Sequence, residues 1–224
     1  RLQKENVSFL WVKMIQMSIL NKSLFISFEG IDGCGKSTQV NMLMEKFLKS
    51  GDKARLVREP GGTKICEEIR EVLLKNRDDV MADRTEALLM TASRAQLTKD
   101  CILNQLEDGI IVVADRFKDS TIAYQGGGRG LDIDYLLNLN EFATYGLDPD
   151  ITFFIDVTAE EGSRRHSGKP DRIEGEGFDF QKKVREQYIK LAHMFSKRYI
   201  VIDGTLSPDK IHQLIWIEIQ NRKK

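Results

Sequence analysis

The eight residues Gly30-Ile31-Asp32-Gly33-Cys34-Gly35-Lys36-Ser37 constrain the fold of this chain more than any other stretch. They satisfy G-x-x-x-x-G-K-[ST], directly after an apolar run and at the start of a segment with helical spacing. Glycines let the backbone wrap a polyphosphate with its N–H groups turned inward, and the positive end of the following helix favours the same anion. Lys36 adds a mobile full charge. Ser37 offers a hydroxyl to Mg²⁺, which bridges phosphate oxygens as a phosphoryl group moves. The strand-loop-helix context sets aside an ordinary glycine-rich turn.

Five short apolar runs read as buried strands: Leu24–Phe28, Ala54–Val57, Ile110–Ala114, Ile151–Ile155 and Tyr199–Ile202. Continuous apolar character implies parallel strands covered on both faces. Between them lie amphipathic stretches. Val40, Leu43, Met44, Phe47 and Leu48 form one stripe ending before Gly51, a C-terminal cap. The alternation predicts an α/β fold, a doubly wound five-stranded parallel sheet with flanking helices, whose ligands gather beyond the carboxyl ends of the strands. An acid follows every run: Glu29, Glu59, Asp115, Asp156 and Asp203. Asp156 and Asp203 read as helix caps or exposed groups. For Asp115 two readings stand open, an acid that positions magnesium through water or a buried partner of a neighbouring arginine.

Length suits one domain over residues 17–224, and residues 1–16 read as a leader or appended segment before Met17. Lysine and arginine total 34, as do aspartate and glutamate, so no global charge draws the chain to nucleic acid or an acidic membrane. Any cationic function is local. Three separated cysteines, Cys34, Cys66 and Cys101, fit a reduced cytoplasmic protein, and no apolar run reaches the roughly 20 residues of a membrane span. The segment from Gly162 to Gly177, rich in glycine and cations, reads as a mobile lid loop.

Three ordered motifs resemble those of the thymidylate kinase family, within the P-loop nucleoside-monophosphate kinases. They are Phe28 through Thr38, Arg58-Glu59-Pro60-Gly61-Gly62-Thr63, and Asp115-Arg116-Phe117 followed by Ser120 through Gly130. The resemblance runs from about Leu24 to about Leu191. It implies transfer of the ATP γ-phosphoryl group to dTMP, with Mg²⁺, in a cytoplasmic homodimer. Gly30 through Thr38 then bind ATP. Arg70 and Arg116 hold the acceptor phosphate, a role that suits the guanidinium fork.

Helical spacing places Met90, Arg94, Leu97 and Cys101 on one face of a helix starting near Thr85, and Arg94 is an unexpected charge there. The resemblance implies that Arg94 hydrogen-bonds thymine, that Thr121 reads its other polar edge, and that Glu59 and Gln125 also contact dTMP. Tyr124 matches a tyrosine that excludes a ribose 2′-hydroxyl. Asp32 matches an acid between the two substrates, although aspartate also stabilises turns by itself. Met90 replaces the family's common stacking phenylalanine, and Phe117 its usual tyrosine or histidine. Position 33 is Gly, so the loop carries no arginine finger. The lid instead holds Arg164, Arg165, Lys169 and Arg172, like the bacterial form, with Arg165 and Arg172 the leading catalytic candidates. Glu174 matches an acid near the metal or the acceptor phosphate. The rival readings are another P-loop nucleotide or deoxynucleoside kinase, and a nucleotide-hydrolysing switch.

Overall fold

The computed structural model describes residues 23–76, 78–165 and 170–223. The expected leader at residues 1–16 and Lys169 lie outside them. Five strands, β1 (Phe25–Glu29), β2 (Ala54–Arg58), β3 (Ile111–Asp115), β4 (Ile151–Asp156) and β5 (Tyr199–Asp203), pair in parallel in the order β2-β3-β1-β4-β5. Each occupies its expected run and extends to, or one residue short of, the acid that follows it. The chain winds from central β1 first towards β2 and then back across to β5, so the end of β1 lies where the winding reverses.

Both faces of the sheet carry apolar layers. Along β3, Val113 joins one core with Ile26 and Phe28, whereas Val112 and Ala114 join another with Phe25, Leu97 and Phe117. Full coverage holds for β1, β3 and β4 but not for the edge strands. Leu56 on β2 is 37% exposed and Val201 on β5 is 55% exposed. An edge strand lacks a neighbour to shelter its outer face, and the charges of Arg55 and Arg58 discourage another strand from pairing there.

Helix α1 (Lys36–Ser50) buries Val40, Leu43 and Phe47 and ends at Gly51, whose φ of 77° suits the left-handed cap. Leu48, assigned to the same stripe from spacing, is instead 80% exposed. Helix α2 (Lys64–Leu74) is capped by Thr63, whose hydroxyl accepts from the Cys66 N–H. Helix α3 (Asp83–Leu97) continues through a π-helical turn (Thr98–Ile102) into α4 (Leu103–Glu107). Wider turns shift the register of a stripe. As a result Ile102 is fully buried, and Cys101 is only half-buried.

Helix α5 (Lys118–Thr121) likewise runs into a π-helical stretch (Ile122–Gly128). A Cβ on Gly127 would meet the Gln187 Cβ at 2.5 Å, and one on Gly126 or Gly128 would strike Ile133 or Phe180. Those glycines let α6 (Ile133–Ala143) and α8 (Phe178–Met194) close on the segment that carries Thr121, Tyr124 and Gln125. Helix α7 (Ala159–Arg165) follows β4, and α9 (Pro208–Arg222) completes the layer beside α1. Among the described residues, no helix is long and apolar enough to cross a membrane.

Candidate active site

Beyond the carboxyl ends of β1 and β3 opens a cleft of about 840 Å³. Its middle is the loop between β1 and α1, with Asp32 through Ser37 on its wall. Gly35 precedes α1 at φ 101° and no side chain caps that helix, which leaves its first-turn amides suited to an anion. The Lys36 ammonium lies folded into the loop, donating to the carbonyls of Gly30 and Ile31, both at 2.9 Å. Cys34 is buried against the same loop, 3.6 Å from the Lys36 nitrogen. It packs as a small side chain.

Gly33 explains why no arginine occupies that position. A Cβ there would collide with the backbone carbonyl of Gly162 on α7, while one on Gly162 would lie 2.6 Å from the Asp32 carbonyl. The phosphate loop and α7 thus touch backbone to backbone. Gly33→Ala is expected to cost about 1–3 kcal/mol, through overpacking and a φ of 75° that alanine resists. Urea denaturation of the variant checks this.

Ser37 Oγ donates to Asp115 Oδ2 at 3.1 Å, and both line the cleft. A hydroxyl beside a carboxylate is a hard oxygen pair that fits a magnesium-type cation also held by substrate phosphates. For the arginine-paired reading of Asp115, no direct salt bridge to an arginine forms among the described residues, although its charge supports that of the neighbouring Arg116. Glu174 lies in the short helix Glu174–Glu176, accepts from the Asp171 N–H at 3.0 Å, and reaches the cleft from its lid side.

Arg70 and Arg116 both line the cleft. Arg70 donates to the Pro60 carbonyl at 2.8 Å, and burial together with the nearby Arg58 lowers its pKa. Arg116 adopts a φ of 72°, a left-handed conformation that costs a non-glycine residue about 1–2 kcal/mol. Its guanidinium bonds Asp32 Oδ1 at 2.5 Å, the Tyr124 hydroxyl at 2.9 Å and the Gly30 carbonyl at 2.9 Å. Burial opposes the charge on Asp32, yet Arg116 and Lys36 prevail and hold that carboxyl below its usual range. Tyr124 is buried and donates to Asp32 Oδ2 at 3.1 Å, closing an Asp32-Arg116-Tyr124 triangle.

Arg94, 2% exposed, directs all five N–H groups to protein oxygens: Glu59 Oε2 twice, Thr121 Oγ1, Asn140 Oδ1 and the Phe117 carbonyl. Arg94 lines the cleft with its fork already held by these protein oxygens. Thr121 Oγ1 accepts from Arg94 at 2.7 Å and retains its own O–H as a donor. Among the described residues Glu59 Oε1, itself buried, has no hydrogen-bond partner, and burial raises the carboxyl's pKa against the pull of Arg94. Met90 lines the cleft, half-buried, whereas Phe117 is fully buried behind Arg94, its ring 5.8 Å from the guanidinium carbon. Gln125 donates to Glu86 at 2.8 Å and also lines the cleft.

The two lid arginines part company. Arg165 lines the cleft, held by Glu161 and by the Gly204 carbonyl at 2.8 Å. Arg172 does not line it. Its guanidinium binds Glu86 at 2.7 Å and the Leu73 carbonyl at 2.8 Å, beside the cleft rather than in it. Arg164 is exposed and paired with Glu161. Asp156 is also corrected, since it forms a two-pronged pair with Arg185 and caps no helix. Asp203 is exposed, as expected, and accepts from the N–H and hydroxyl of Thr205.

Sequence reasoning missed the wall made by Gly204, Leu206, Pro208 and Ile211, next to the phosphate loop. No motif marks it; its only signal is a turn after the last strand. It also passed over Glu86, whose one trace was an acid in the first turn of α3.

The thymidylate kinase family model matches residues 28–215. A thymidylate kinase of Thermoanaerobacter sp. (strain X514) is 50% identical over 193 residues, covering 86% of this chain and 95% of the relative. That of Caldanaerobacter subterraneus subsp. tengcongensis is 49% identical over 192 residues, covering 85% and 92%. That of Chlorobaculum tepidum is 46% identical over 203 residues, covering 86% and 94%.

Proposed function

The chain belongs to the thymidylate kinase family and phosphorylates dTMP to dTDP, and we propose that it does so by in-line transfer of the ATP γ-phosphoryl group within the cleft. The observation that carries this reading is the arrangement of that cleft. A phosphate loop lines it, and two arginines from outside that loop, Arg70 and Arg116, line it as well. Two anionic substrates approach only where cations gather. A switch that hydrolyses one nucleotide has no need of these two further cations.

In this reading the loop amides and Lys36 hold the donor phosphates, and Gly204, Leu206, Pro208 and Ile211 shelter the donor base. Arg70 and Arg116 bind the acceptor phosphate. Asp32, tied to Arg116 and Tyr124, fixes the guanidinium between the substrates. Tyr124 fills the space beside the sugar and favours deoxyribose. The Arg94 guanidinium and the Thr121 hydroxyl read the base, and Glu59 and Asn140 hold Arg94 in place. Met90 packs against the ring through its thioether. Arg165 stabilises the transferred group. Positioning and electrostatics provide most of the rate, with no covalent intermediate.

The family's chemistry calls for a divalent metal, and Mg²⁺ is the proposed ion, held by Ser37 and Asp115 with Glu174 nearby. When bound it neutralises charge on the donor phosphates. Homodimerisation in the cytoplasm is proposed as well. Support for a dimer comes from Ile65, Val72, Leu88, Tyr135 and Phe142, exposed apolar side chains on α2, α3 and α6, where α3 packs against both other helices.

Incubation with ATP and, separately, dTMP, UMP, CMP or thymidine tests the function. The expected result is dTDP and ADP in equal amounts, with dTMP turned over fastest. Faster turnover of another acceptor, or ADP released with no acceptor present, would defeat the reading.

A further inference from the structure

Glu29, the last residue of β1, is fully buried and does not line the cleft. Three donors converge on it. The Phe117 N–H reaches Oε1 at 2.8 Å, the Ser120 hydroxyl reaches Oε2 at 2.7 Å and the Tyr188 hydroxyl reaches Oε2 at 2.8 Å. Each donor lies next to Arg116. Phe117 follows it in the chain, while Ser120 and Tyr188 stand 3.5 and 3.4 Å from its Nη1 and 2.9 Å from each other. We propose that Glu29 is a positioning residue for phosphoryl transfer: its carboxylate fixes the turn that carries Arg116 and, through the Ser120 and Tyr188 hydroxyls, the Arg116 guanidinium itself. The inference rests on the reading of Arg116 as a phosphate-binding residue.

Donor and acceptor chemistry explains why the group is a carboxylate. With three donors converging, only an acceptor-only group satisfies all of them without turning one away. With both hydroxyl protons given to Glu29, the oxygen lone pairs of Ser120 and Tyr188 are left to face Arg116. An amide at position 29 keeps one acceptor oxygen, so its NH₂ faces either the Phe117 N–H or the two hydroxyls, and the donors on that side lose their acceptor.

Such a carboxylate is held against its own burial. Burial, aided by Asp119, pushes Glu29 up to about 7, while Ser120, Arg116 and the Phe117 N–H pull the other way. The charged and titratable groups around it are Arg116 on the turn after β3, Asp119 on α5, Tyr124 on the following π-helical stretch, Tyr188 on α8 and Tyr199 on β5. Asp119 is itself tied to Arg198 by two bonds. Because the folded value exceeds the ordinary 4.5, the stability this group contributes is complete below pH 4.5 and lost as pH rises through about 7. A neutral isostere escapes that loss. Structural and positioning roles therefore predict opposite outcomes.

The test is Glu29→Gln in the full chain. Expected are a fall in kcat of about 10–100-fold, the range found for groups that orient a functional residue from behind, an ATP KM near the wild-type value, and a melting temperature at pH 8 no lower than wild type. The wild-type kcat/KM for dTMP falls as pH drops through about 7, whereas the variant keeps only the lower limb, at about 6, that belongs to the substrate phosphate. If Glu29→Gln fails to fold, Tyr188→Phe decides, since it removes only the linking hydroxyl and keeps the ring stacked on Phe154. It is expected to lower kcat without moving the ATP KM. Wild-type turnover and pH profile in whichever variant folds overturns the inference. Arg116→Lys runs in parallel: unchanged turnover there defeats the reading of Arg116, whereas loss there with none in Glu29→Gln defeats Glu29 alone.

Discussion

Arg94→Ala is expected to destabilise the protein by about 3–5 kcal/mol and to abolish measurable dTMP binding. The magnitude is that of breaking a buried ion pair from one side. Glu59, 7% exposed, loses the guanidinium to which it is hydrogen-bonded, while Asn140, Thr121 and the Phe117 carbonyl lose a shared donor. Burial already raises the Glu59 carboxyl, and removing Arg94 raises it further. A raised carboxyl stabilises below its unfolded value, near 4.5, and loses that contribution as pH climbs through the folded one. The deficit should therefore be larger at pH 8 than at pH 5. Lysine offers three donors from one point where five are used, so Arg94→Lys should recover little. The double variant Glu59→Gln with Arg94→Met removes both charges and should recover much of the lost stability, but not the binding. Urea midpoints at the two pH values, with dTMP calorimetry on folded protein, check each part. A stable Arg94→Ala that still binds dTMP would refute the role.

Arg94 also marks where sequence reasoning reaches its limit. Helical spacing reveals a guanidinium on an apolar face, and elementary desolvation says that it must be paired. Spacing carries no information about the partner. Here the partners come from the turn after β2, the turn after β3, α5 and α6, elements brought together only by the winding of the sheet. The phosphate loop stands at the opposite extreme. Its strand, glycines, lysine and helix are contiguous, so one stretch of chain holds the whole device, and the strand runs were legible for the same reason. The wall from Gly204 to Ile211 was invisible, because sheltering a flat ring asks only for apolar surface. Cys101 stays half-buried against the same core as Leu97, although a π-helical turn follows Leu97 and no hydrophobic pattern announces that turn.

Separating the two lid arginines gives the other large effect. Composition treats Arg165 and Arg172 alike, seven positions apart in a basic segment; what divides them is Glu86, far away in sequence. Arg165 sits one helical turn beyond Gly162, whose backbone touches the phosphate loop, so rigid contact ties its position to that of the donor phosphates. Arg172 is instead drawn to the carboxylate that also binds Arg129 and Gln125. Arg165→Ala is expected to lower kcat by about 10³-fold, roughly 4 kcal/mol of transition-state stabilisation, with a much smaller change in the ATP KM. Arg172→Ala should keep kcat within about tenfold and cost about 1.5–3 kcal/mol of stability, since it loses a hydrogen bond to a charged group. Steady-state kinetics beside urea denaturation separates the two. Near-normal turnover in Arg165→Ala, with collapse of kcat in a fully stable Arg172→Ala, would reverse the assignment and require Arg172 to leave Glu86 during the reaction.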